Sequence, residues 1–276
     1  MLFLVTGSTG NVGRELVRAL IASGHDVRAL TRDPISTLPA GAERVVGDLN
    51  HPETLTSALA GVHGVHLLSG YRDMPNALHE MRRAGVQQVV LQSSSAVRGG
   101  DLGNAVARYH ILAERAVRES GVAWTFLQPN TFMSNTLQWV PQLRAGDVVQ
   151  APFAEVRVAT IDPRDVAAVA AQALTTGAHA GRSYRLSGPE SLRPADRLAV
   201  LARALGRELR FAAQPDDEAR AEMSATMPPE YVDAFFSFFV DGTLDESKVL
   251  PTVAEITGRE PRTFDQWVAA HADAFR

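Results

Sequence analysis

The first half of the chain alternates between two hydrophobic patterns. Runs of consecutive apolar residues, rich in Val and Leu, are separated by segments in which apolar side chains recur every three or four positions. The runs predict strands at Leu2–Val5, Asp26–Leu30, Arg44–Val46, Val65–Leu68, Val89–Gln92 and Trp124–Leu127. Uninterrupted apolar strands are typical of a parallel sheet covered on both faces, and the amphipathic segments predict the covering helices. The pattern therefore predicts an α/β fold with a doubly wound parallel sheet.

The pattern loosens after the last of these strands, where proline recurs about every dozen residues between Pro129 and Pro163. The later part of the chain is predicted to contain a strand at Val156–Ile161, a helix at Pro163–Leu174 capped by Asp162, and a strand at Ser183–Ser187 followed by helices. We therefore predict two units. Residues 1–135 and 156–175 form a nucleotide-binding domain, and residues 136–155 and 176–276 form a smaller, discontinuous C-terminal lobe that binds the substrate.

A glycine-rich turn, Thr6–Gly13, follows the first predicted strand and leads into a helix. In that context three glycines at this spacing are typical of a dinucleotide-binding turn. Gly7 permits the tight turn, Gly10 lets the backbone approach a pyrophosphate, and Gly13 lets the helix approach the sheet. The free N–H groups at the start of the helix suit a phosphate. The alternative is a strand-to-helix turn without a ligand.

The end of the second strand indicates which dinucleotide is bound. NAD-binding proteins usually carry an acidic residue there that holds the ribose 2′-OH, but this chain has Arg32, followed by Asp33. Because a guanidinium suits a 2′-phosphate, we predict NADP(H), and Asp33 keeps NAD(H) possible. A solvated Arg32 paired with Asp33 is the alternative. At the end of the third strand, Asp48 could accept a hydrogen bond from the adenine amino group or cap the helical region at Pro52.

Composition and charge exclude several functional classes. The 276 residues include 27 basic and 31 acidic side chains, a formal charge of −4, which disfavours nucleic-acid binding. The chain has no cysteine, which excludes disulfides and thiol chemistry, and its eight histidines lack metal-ligand spacing. The apolar runs are too short to span a bilayer, and because Met1 leads directly into a strand-like run we expect no signal peptide. We expect a cytoplasmic monomer or homodimer that binds no metal, membrane or nucleic acid.

Several motifs together resemble those of the NmrA-like atypical short-chain dehydrogenase/reductase family, in its NAD(P)H quinone reductase-like branch. The resemblance covers nearly the whole chain. It rests on the glycine-rich turn, Thr31–Pro34, Gly47–Leu49, Gln92–Ser95, His110 with Glu114, Ser120–Pro129 and Ile256–Phe264. The family implies a Rossmann fold that binds NAD(P)H. Its motifs are much less specific for the substrate.

The resemblance also implies where the cofactor lies. The glycine-rich turn would hold the phosphates and Arg32 the 2′-phosphate, whereas the ends of later strands would line the ribose and the nicotinamide. The predicted cofactor-binding residues are Gly7, Ser8, Thr9, Gly10, Asn11, Val12, Arg32, Asp48, Leu49, Leu68, Ser69, Gly70, Ser93, Ser94, His110, Pro129, Asn130 and Phe132.

The catalytic residues depart from those of ordinary short-chain dehydrogenases, which use Ser, Tyr and Lys. A serine is present as Ser94 or Ser95, but Val106 stands in the Tyr position and His110 in the Lys position. His110 titrates near neutral pH in its ordinary state and suits cofactor binding or a proton relay, although a histidine without chemistry is an alternative. Tyr109 is the second candidate catalytic residue, and packing or substrate contact suits it better than acid catalysis. We predict His110 and Tyr109 as the catalytic pair.

Four phenylalanines lie close together near the C-terminus, between Phe235 and Phe239. Helical spacing puts Phe235, Phe238 and Phe239 on one face. Such a stripe usually forms core; the functional alternative is an aromatic wall over the cofactor that stacks on a planar polycyclic substrate.

We therefore expect an NADPH-dependent oxidoreductase that transfers hydride to a quinone, an enone or a similar electron-poor small molecule. Such an acceptor needs less help from a proton donor than a simple ketone, because its reduced form is a weaker base than an alkoxide. Two alternatives remain open at this stage. One is a non-catalytic NADP(H) sensor, and the other is a biosynthetic enzyme that uses its bound cofactor without net turnover.

Overall fold

The chain forms a main sheet of seven strands and a second sheet of two strands. The computed structural model describes residues 1–276. Its strands are β1 (Leu2–Val5), β2 (Asp26–Thr31), β3 (Glu43–Val46), β4 (Gly64–Leu68), β5 (Gln88–Gln92), β6 (Ala123–Pro129), β7 (Val148–Ala151), β8 (Arg182–Leu186) and β9 (Arg210–Ala213). Its α-helices are α1 (Asn11–Ala22), α2 (Thr56–Leu59), α3 (Met74–Arg83), α4 (Ala105–Glu119), α5 (Val140–Ala145), α6 (Pro163–Thr175), α7 (Pro194–Leu205), α8 (Asp216–Ser224), α9 (Pro229–Phe239), α10 (Thr252–Thr257) and α11 (Phe264–His271).

The main sheet is entirely parallel, with the strand order β3-β2-β1-β4-β5-β6-β8. The order changes direction between β1 and β4, so the loops that follow these two strands leave the sheet in opposite directions and open a crevice at their carboxyl ends. The glycine-rich turn follows β1 and Ser69 follows β4. The predicted doubly wound α/β fold is confirmed, and its switch point brings these two segments together.

Helices cover both faces of the main sheet, as the apolar strands predicted. On one face, α1 and α6 bury side chains such as Leu16 and Val169 against Phe3 and Val90. On the other face, α2, α3 and α4 bury a second cluster that includes Leu78 and Val117. Each such fully buried aliphatic side chain stabilises the fold by about 1.5–3 kcal/mol. The helix at Pro163–Leu174 is confirmed as α6, and Asp162 accepts from the N–H of Arg164 at 2.8 Å as its cap.

A smaller lobe surrounds the two-stranded sheet of β7 and β9. Helices α5, α7 and α11 pack there around Trp139 and Trp267, whose side chains are each 1% exposed. Helix α9 packs on α4, where Phe238 contacts Ala96 and Ala107. None of the helices combines the length and the apolar character that a membrane-spanning helix requires.

Two features of the second half differ from the predictions. Residues 182–186, assigned to the smaller lobe, form β8 and pair with β6 at the edge of the main sheet. The predicted strand at Val156–Ile161 is instead an extended segment with single bridges, Val158 to Leu192 and Ile161 to Phe132. It pairs with a different segment at each bridge, so no continuous ladder forms. The apolar character of a segment does not show which other segment its backbone will pair with.

Candidate functional site

The glycine-rich turn is shaped by backbone approaches that only glycine allows. Gly7 has a positive φ of +61°, and a Cβ on Gly13 would lie 2.2 Å from the carbonyl oxygen of Gly7. Gly13 therefore lets α1 approach the turn itself. The backbone N–H groups of Ser8, Thr9, Asn11 and Val12 donate to no acceptor within the chain. These free donors at the N-terminus of a helix fit the phosphates of a dinucleotide.

Most side chains of the turn make contacts within the chain. The Ser8 hydroxyl donates to the carbonyl oxygen of Leu30 at 2.8 Å, and Val12 is buried in the core. The Asn11 amide donates to the Ser134 hydroxyl at 3.1 Å. Apart from the exposed side chain of Thr9, the turn therefore presents its backbone to a ligand.

The guanidinium of Arg32, directly after β2, is available to a ligand. Arg32 is exposed, and no carboxylate lies within ion-pair distance of its guanidinium. The Asp33 carboxylate instead accepts from the N–H of Ile35 at 2.9 Å, so the alternative of an Arg32–Asp33 pair is wrong. A free guanidinium at this position fits a 2′-phosphate.

The neighbouring end of β3 is only partly available to a ligand. One carboxylate oxygen of Asp48 accepts from the N–H of Asn50 at 2.9 Å. Asp48 does not cap the helical turn at Pro52–Leu55, whose first flanking residue is His51 and which has no side-chain cap. The Leu49 side chain is buried in the core, so only its backbone remains for a cofactor.

Ser69, at the end of β4, is held by two consecutive residues of α4. The Tyr109 hydroxyl donates to the Ser69 carbonyl oxygen at 2.7 Å, and the His110 Nδ1 lies 3.1 Å from the Ser69 hydroxyl oxygen. The Ser69 hydroxyl itself donates to the carbonyl oxygen of Gln92 at 3.1 Å. His110 is therefore the donor in its contact with Ser69, which leaves Nε2 without a proton in the neutral ring.

Burial lowers the pKa of His110 from 6.5 to about 4. The expectation that this histidine titrates near neutral pH is therefore wrong. At pH 7 the imidazole is neutral and holds one proton, which it shares with Ser69. Desolvation outweighs everything else here, because no carboxylate contacts the ring to favour its charged form. His110 is thus suited to hydrogen bonding rather than to proton delivery.

The predicted nicotinamide side of the site forms a cavity of about 330 Å³. Many of the predicted residues line it, and it contains no Lys or Arg side chain. These residues are Leu68, Ser69, Ser93, Ser94, Tyr109, His110, Pro129, Asn130 and Phe132. Val106 also lines it, so Val106, Tyr109 and His110 share one cavity. Gly70 lies outside it, in a groove of about 630 Å³ between α3 and α4 that Tyr109 also lines.

Three serines after β5 have different roles. Ser95 donates to the carboxylate of Glu246, so its hydroxyl hydrogen is committed. Ser94 accepts from the N–H of Ala96 at 3.2 Å and keeps its own hydrogen free. The Ser93 hydroxyl is buried without any partner. An unpaired buried hydroxyl is costly, and its position on the cavity wall fits a polar group of a bound ligand.

The end of β6 is fixed by Asn130. Its amide nitrogen donates to the carbonyl oxygens of Ala159 and Glu246 at 3.3 and 3.1 Å, and its oxygen accepts from Arg98 at 3.2 Å. All its polar atoms are used in joining chain segments. Asn130 borders the cavity, as predicted, but supports its wall.

An aromatic wall closes the opposite side of the cavity. Phe235, Phe238 and Phe239 line it, and the rings of Phe235 and Phe239 are nearly parallel, at 11°, with centroids 6.4 Å apart. The core alternative applies as well, because Phe238 is only 6% exposed. Phe236, on the other face of α9, packs on Phe153 away from the cavity.

Two residues near the site had no recognisable sequence signal. Glu246 is 4% exposed and is the one carboxylate that lines the cavity. It also accepts from the Thr131 hydroxyl at 2.6 Å. Tyr71 is half-buried beside Gly70, and its pKa is raised by burial, with the phenol close to Thr6, Arg32 and Asp48. Neither residue belongs to a periodic pattern or a motif, so only the folded chain reveals them.

Comparisons with known proteins agree with this geometry. A family model for NAD(P)H-binding proteins matches residues 7–177. The chain is 42% identical over 280 residues to a (4-alkanoyl-5-oxo-2,5-dihydrofuran-3-yl)methyl phosphate reductase from Streptomyces griseus, covering 99% of each chain. It is 36% identical over 284 residues to an NAD(P)H azoreductase from Xenophilus azovorans, again covering 99% of each.

Solved structures show the same fold. An NADPH-dependent quinone oxidoreductase from Escherichia coli, complexed with NADPH, superposes with a TM-score of 0.78 at 21% identity and covers 97% of this chain and 99% of its own. NmrA, a negative transcriptional regulator, superposes with a TM-score of 0.73 at 18% identity and covers 97% of each chain.

The chain belongs to the NAD(P)H-binding family, with NmrA-like and quinone-reductase-like neighbours. It is an NAD(P)H-dependent oxidoreductase of the Rossmann fold, which confirms the predicted family, enzyme class and cofactor.

Proposed function

We propose that this protein is an NADPH-dependent reductase whose acceptor is a small, electron-poor conjugated molecule, such as an enone or a quinone. The observation that carries the proposal is the cavity shared by Ser93, His110 and Val106 on one side and the Phe235–Phe239 aromatic wall on the other. A flat conjugated ring fits between such a wall and the strand ends, because offset stacking favours planar partners.

The cofactor would lie along the crevice at the switch point. The free N–H groups of the glycine-rich turn would bind the phosphates, Arg32 the 2′-phosphate, and the strand ends at Leu68–Gly70 and Ser93–Ser94 the ribose and nicotinamide. When bound, the reduced nicotinamide supplies a hydride. The chain's own residues then position the acceptor.

Proton supply distinguishes this site from an alcohol dehydrogenase. Val106 offers no proton, the His110 imidazole is neutral above about pH 4, and the Tyr109 hydroxyl donates to Ser69. No cationic side chain lines the cavity to stabilise a strongly basic alkoxide. These features favour an acceptor whose reduced form is a weakly basic enolate or phenolate that solvent protonates. The Ser94 hydroxyl, which keeps its own hydrogen free, would hydrogen bond to the enolate or phenolate oxygen beside the nicotinamide.

The relatives support the same class of acceptor. The Streptomyces griseus enzyme is named for an unsaturated ring that carries an oxo and an alkanoyl group. The Escherichia coli enzyme is named for quinones. The Xenophilus azovorans enzyme is named for the azo group, which is likewise an electron-poor double bond. An oxo-dihydrofuran of this kind and a simple quinone are therefore the first acceptors to test.

The test is a steady-state assay of purified protein with NADPH against an acyl-substituted oxo-dihydrofuran, a naphthoquinone and an unconjugated ketone. We expect oxidation of NADPH with at least one conjugated acceptor and none with the ketone. Tight NADPH binding without oxidation by any acceptor would overturn the proposal and favour the cofactor-sensing alternative. Copurified cofactor that is never consumed would instead favour a biosynthetic enzyme without net turnover.

A further inference from the structure

The side chain of Tyr109 packs directly on Gly70 and leaves no space for a side chain at residue 70. The Tyr109 ring lies over Gly70, and a Cβ at residue 70 would be 1.7 Å from the Tyr109 hydroxyl oxygen. Gly70 also has a positive φ of +93°, a conformation that side chains rarely adopt. The ring and the turn are therefore complementary in shape as well as hydrogen bonded.

The turn at Ser69–Gly70 is held at both of its polar ends. Tyr109 binds the Ser69 carbonyl oxygen at 2.7 Å, and His110 contacts the Ser69 hydroxyl at 3.1 Å. Just before the turn, the N–H of Leu68 donates to the Thr6 hydroxyl at 3.1 Å, and a Cβ on Gly7 would meet the Leu68 side chain at 2.5 Å. The end of β4 thus connects α4 to the glycine-rich turn.

We propose that Tyr109 is a positioning residue for the cofactor: through Ser69 and Gly70 it fixes the turn that holds the ribose and nicotinamide, and it does not deliver the proton. The proposal rests on the cofactor path of the proposed function. The phenol hydrogen already points at a backbone carbonyl, and the ring has a glycine-shaped surface to pack on. Burial, assisted by the neighbouring Tyr231, raises the pKa of Tyr109, so the phenol keeps its hydrogen for Ser69 at neutral pH.

The main experiment compares Tyr109→Phe with the wild-type chain by calorimetric titration of NADPH and of NADH, without an acceptor. Loss of one net hydrogen bond is expected to raise both dissociation constants about two- to tenfold. The two nucleotides should be affected equally, because the 2′-phosphate is assigned to Arg32. With an acceptor present, the substitution should raise KM for NADPH more than it lowers kcat, and it should not shift the pH profile of kcat.

Tyr184→Phe is the matched control, because the Tyr184 hydroxyl also makes a single contact, 2.8 Å from His179 Nδ1, at the far edge of the main sheet. Its nucleotide affinities should equal those of the wild type. Unchanged affinities in Tyr109→Phe would overturn the proposal. So would a large fall in kcat at saturating NADPH with a changed pH profile, which would make Tyr109 the proton donor.

Gly70→Ala tests the same contact from the other side. The new methyl group must displace the Tyr109 ring, so nucleotide affinity should fall as in Tyr109→Phe or further. In a double-mutant cycle the two losses should be less than additive, because both changes break one contact. Full additivity would contradict the proposal. Since binding is measured without an acceptor, these results stand even if no acceptor of the proposed class is reduced.

Discussion

The hydroxyl group of Ser95 donates a hydrogen bond to the carboxylate of Glu246, a residue 151 positions further along the chain. The same carboxylate accepts from the hydroxyl and the N–H of Thr131, and every partner is a donor. Ser95 is one of the two serines that the family resemblance offered as the catalytic serine of a short-chain dehydrogenase. Here the Ser95 hydroxyl instead holds Glu246, in the segment after α9 that lines the cavity.

We expect Glu246→Ala to lower the free energy of unfolding by about 2–4 kcal/mol, because it leaves buried donors on Ser95 and Thr131 without an acceptor. Urea denaturation measures this change. Glu230→Ala, at an exposed position of α9, is the control and should change stability by less than about 0.5 kcal/mol. Equal effects of the two substitutions would show that the Glu246 contacts do not stabilise the fold.

Arg32→Ala should weaken NADPH binding by about 1.5–3 kcal/mol and leave NADH binding nearly unchanged, since it removes a charged partner of the 2′-phosphate alone. Calorimetric titration with each nucleotide gives both numbers. Arg83→Ala is the control for the loss of one positive charge, because Arg83 pairs with Glu80 on α3. An identical loss for both nucleotides would argue against a 2′-phosphate contact.

Gly13→Ala should abolish nucleotide binding and destabilise the fold by about 1–3 kcal/mol, because its methyl group would lie 2.2 Å from the Gly7 carbonyl oxygen. Melting temperature and an NADPH titration report the two effects separately. For comparison, Gly99→Ala has open space around its Cβ and should affect neither. Retained binding in Gly13→Ala would mean that α1 can move away from the turn at little cost.

Phe239→Ala should raise KM for a planar acceptor about three- to tenfold, because it removes one stacking partner from the cavity wall. Phe236→Ala provides a comparison within the same helix, since its ring packs on the opposite face under Arg220, 4.2 Å from the guanidinium carbon. That change should reduce stability and leave KM as it was. If both substitutions raised KM alike, the aromatic wall would have no direct contact with the acceptor.

The fold should lose stability as the pH falls from about 6.5 to about 4. Burial lowers the pKa of both His66 and His110 from 6.5 to about 4, so in this window the unfolded chain binds protons that the folded chain excludes. Each histidine contributes a slope of up to about 1.4 kcal/mol per pH unit, and above pH 6.5 the effect vanishes. Urea denaturation between pH 4 and 8 measures it, and His110→Asn should reduce the slope by about half.

The same neutral His110 bears on activity. The pH profile of kcat should contain no ionisation near pH 6.5 that belongs to His110. An ionisation present there in the wild type should therefore persist in His110→Asn. An ionisation that disappears in His110→Asn would mean that the histidine is protonated during the reaction and would restore it as a proton relay.

The sequence by itself determined the alternation of strands and helices, the glycine-rich turn and the placement of Arg32 after β2. These features depend on side chains close together in the chain, whose periodicity and backbone preferences act locally. The aromatic character of α9 was also readable, although its partner across the cavity was not.

The tertiary structure decided what depends on distant contacts. Only folding joins Ser95 to Glu246, puts Tyr109 over Gly70, adds β8 to the main sheet and leaves Val156–Ile161 without a ladder. Burial likewise sets the low pKa of His110, since desolvation is a property of the surroundings and not of the residue. Local patterns therefore predicted the nucleotide-binding frame, whereas long-range packing determined the contacts around the cavity beside it.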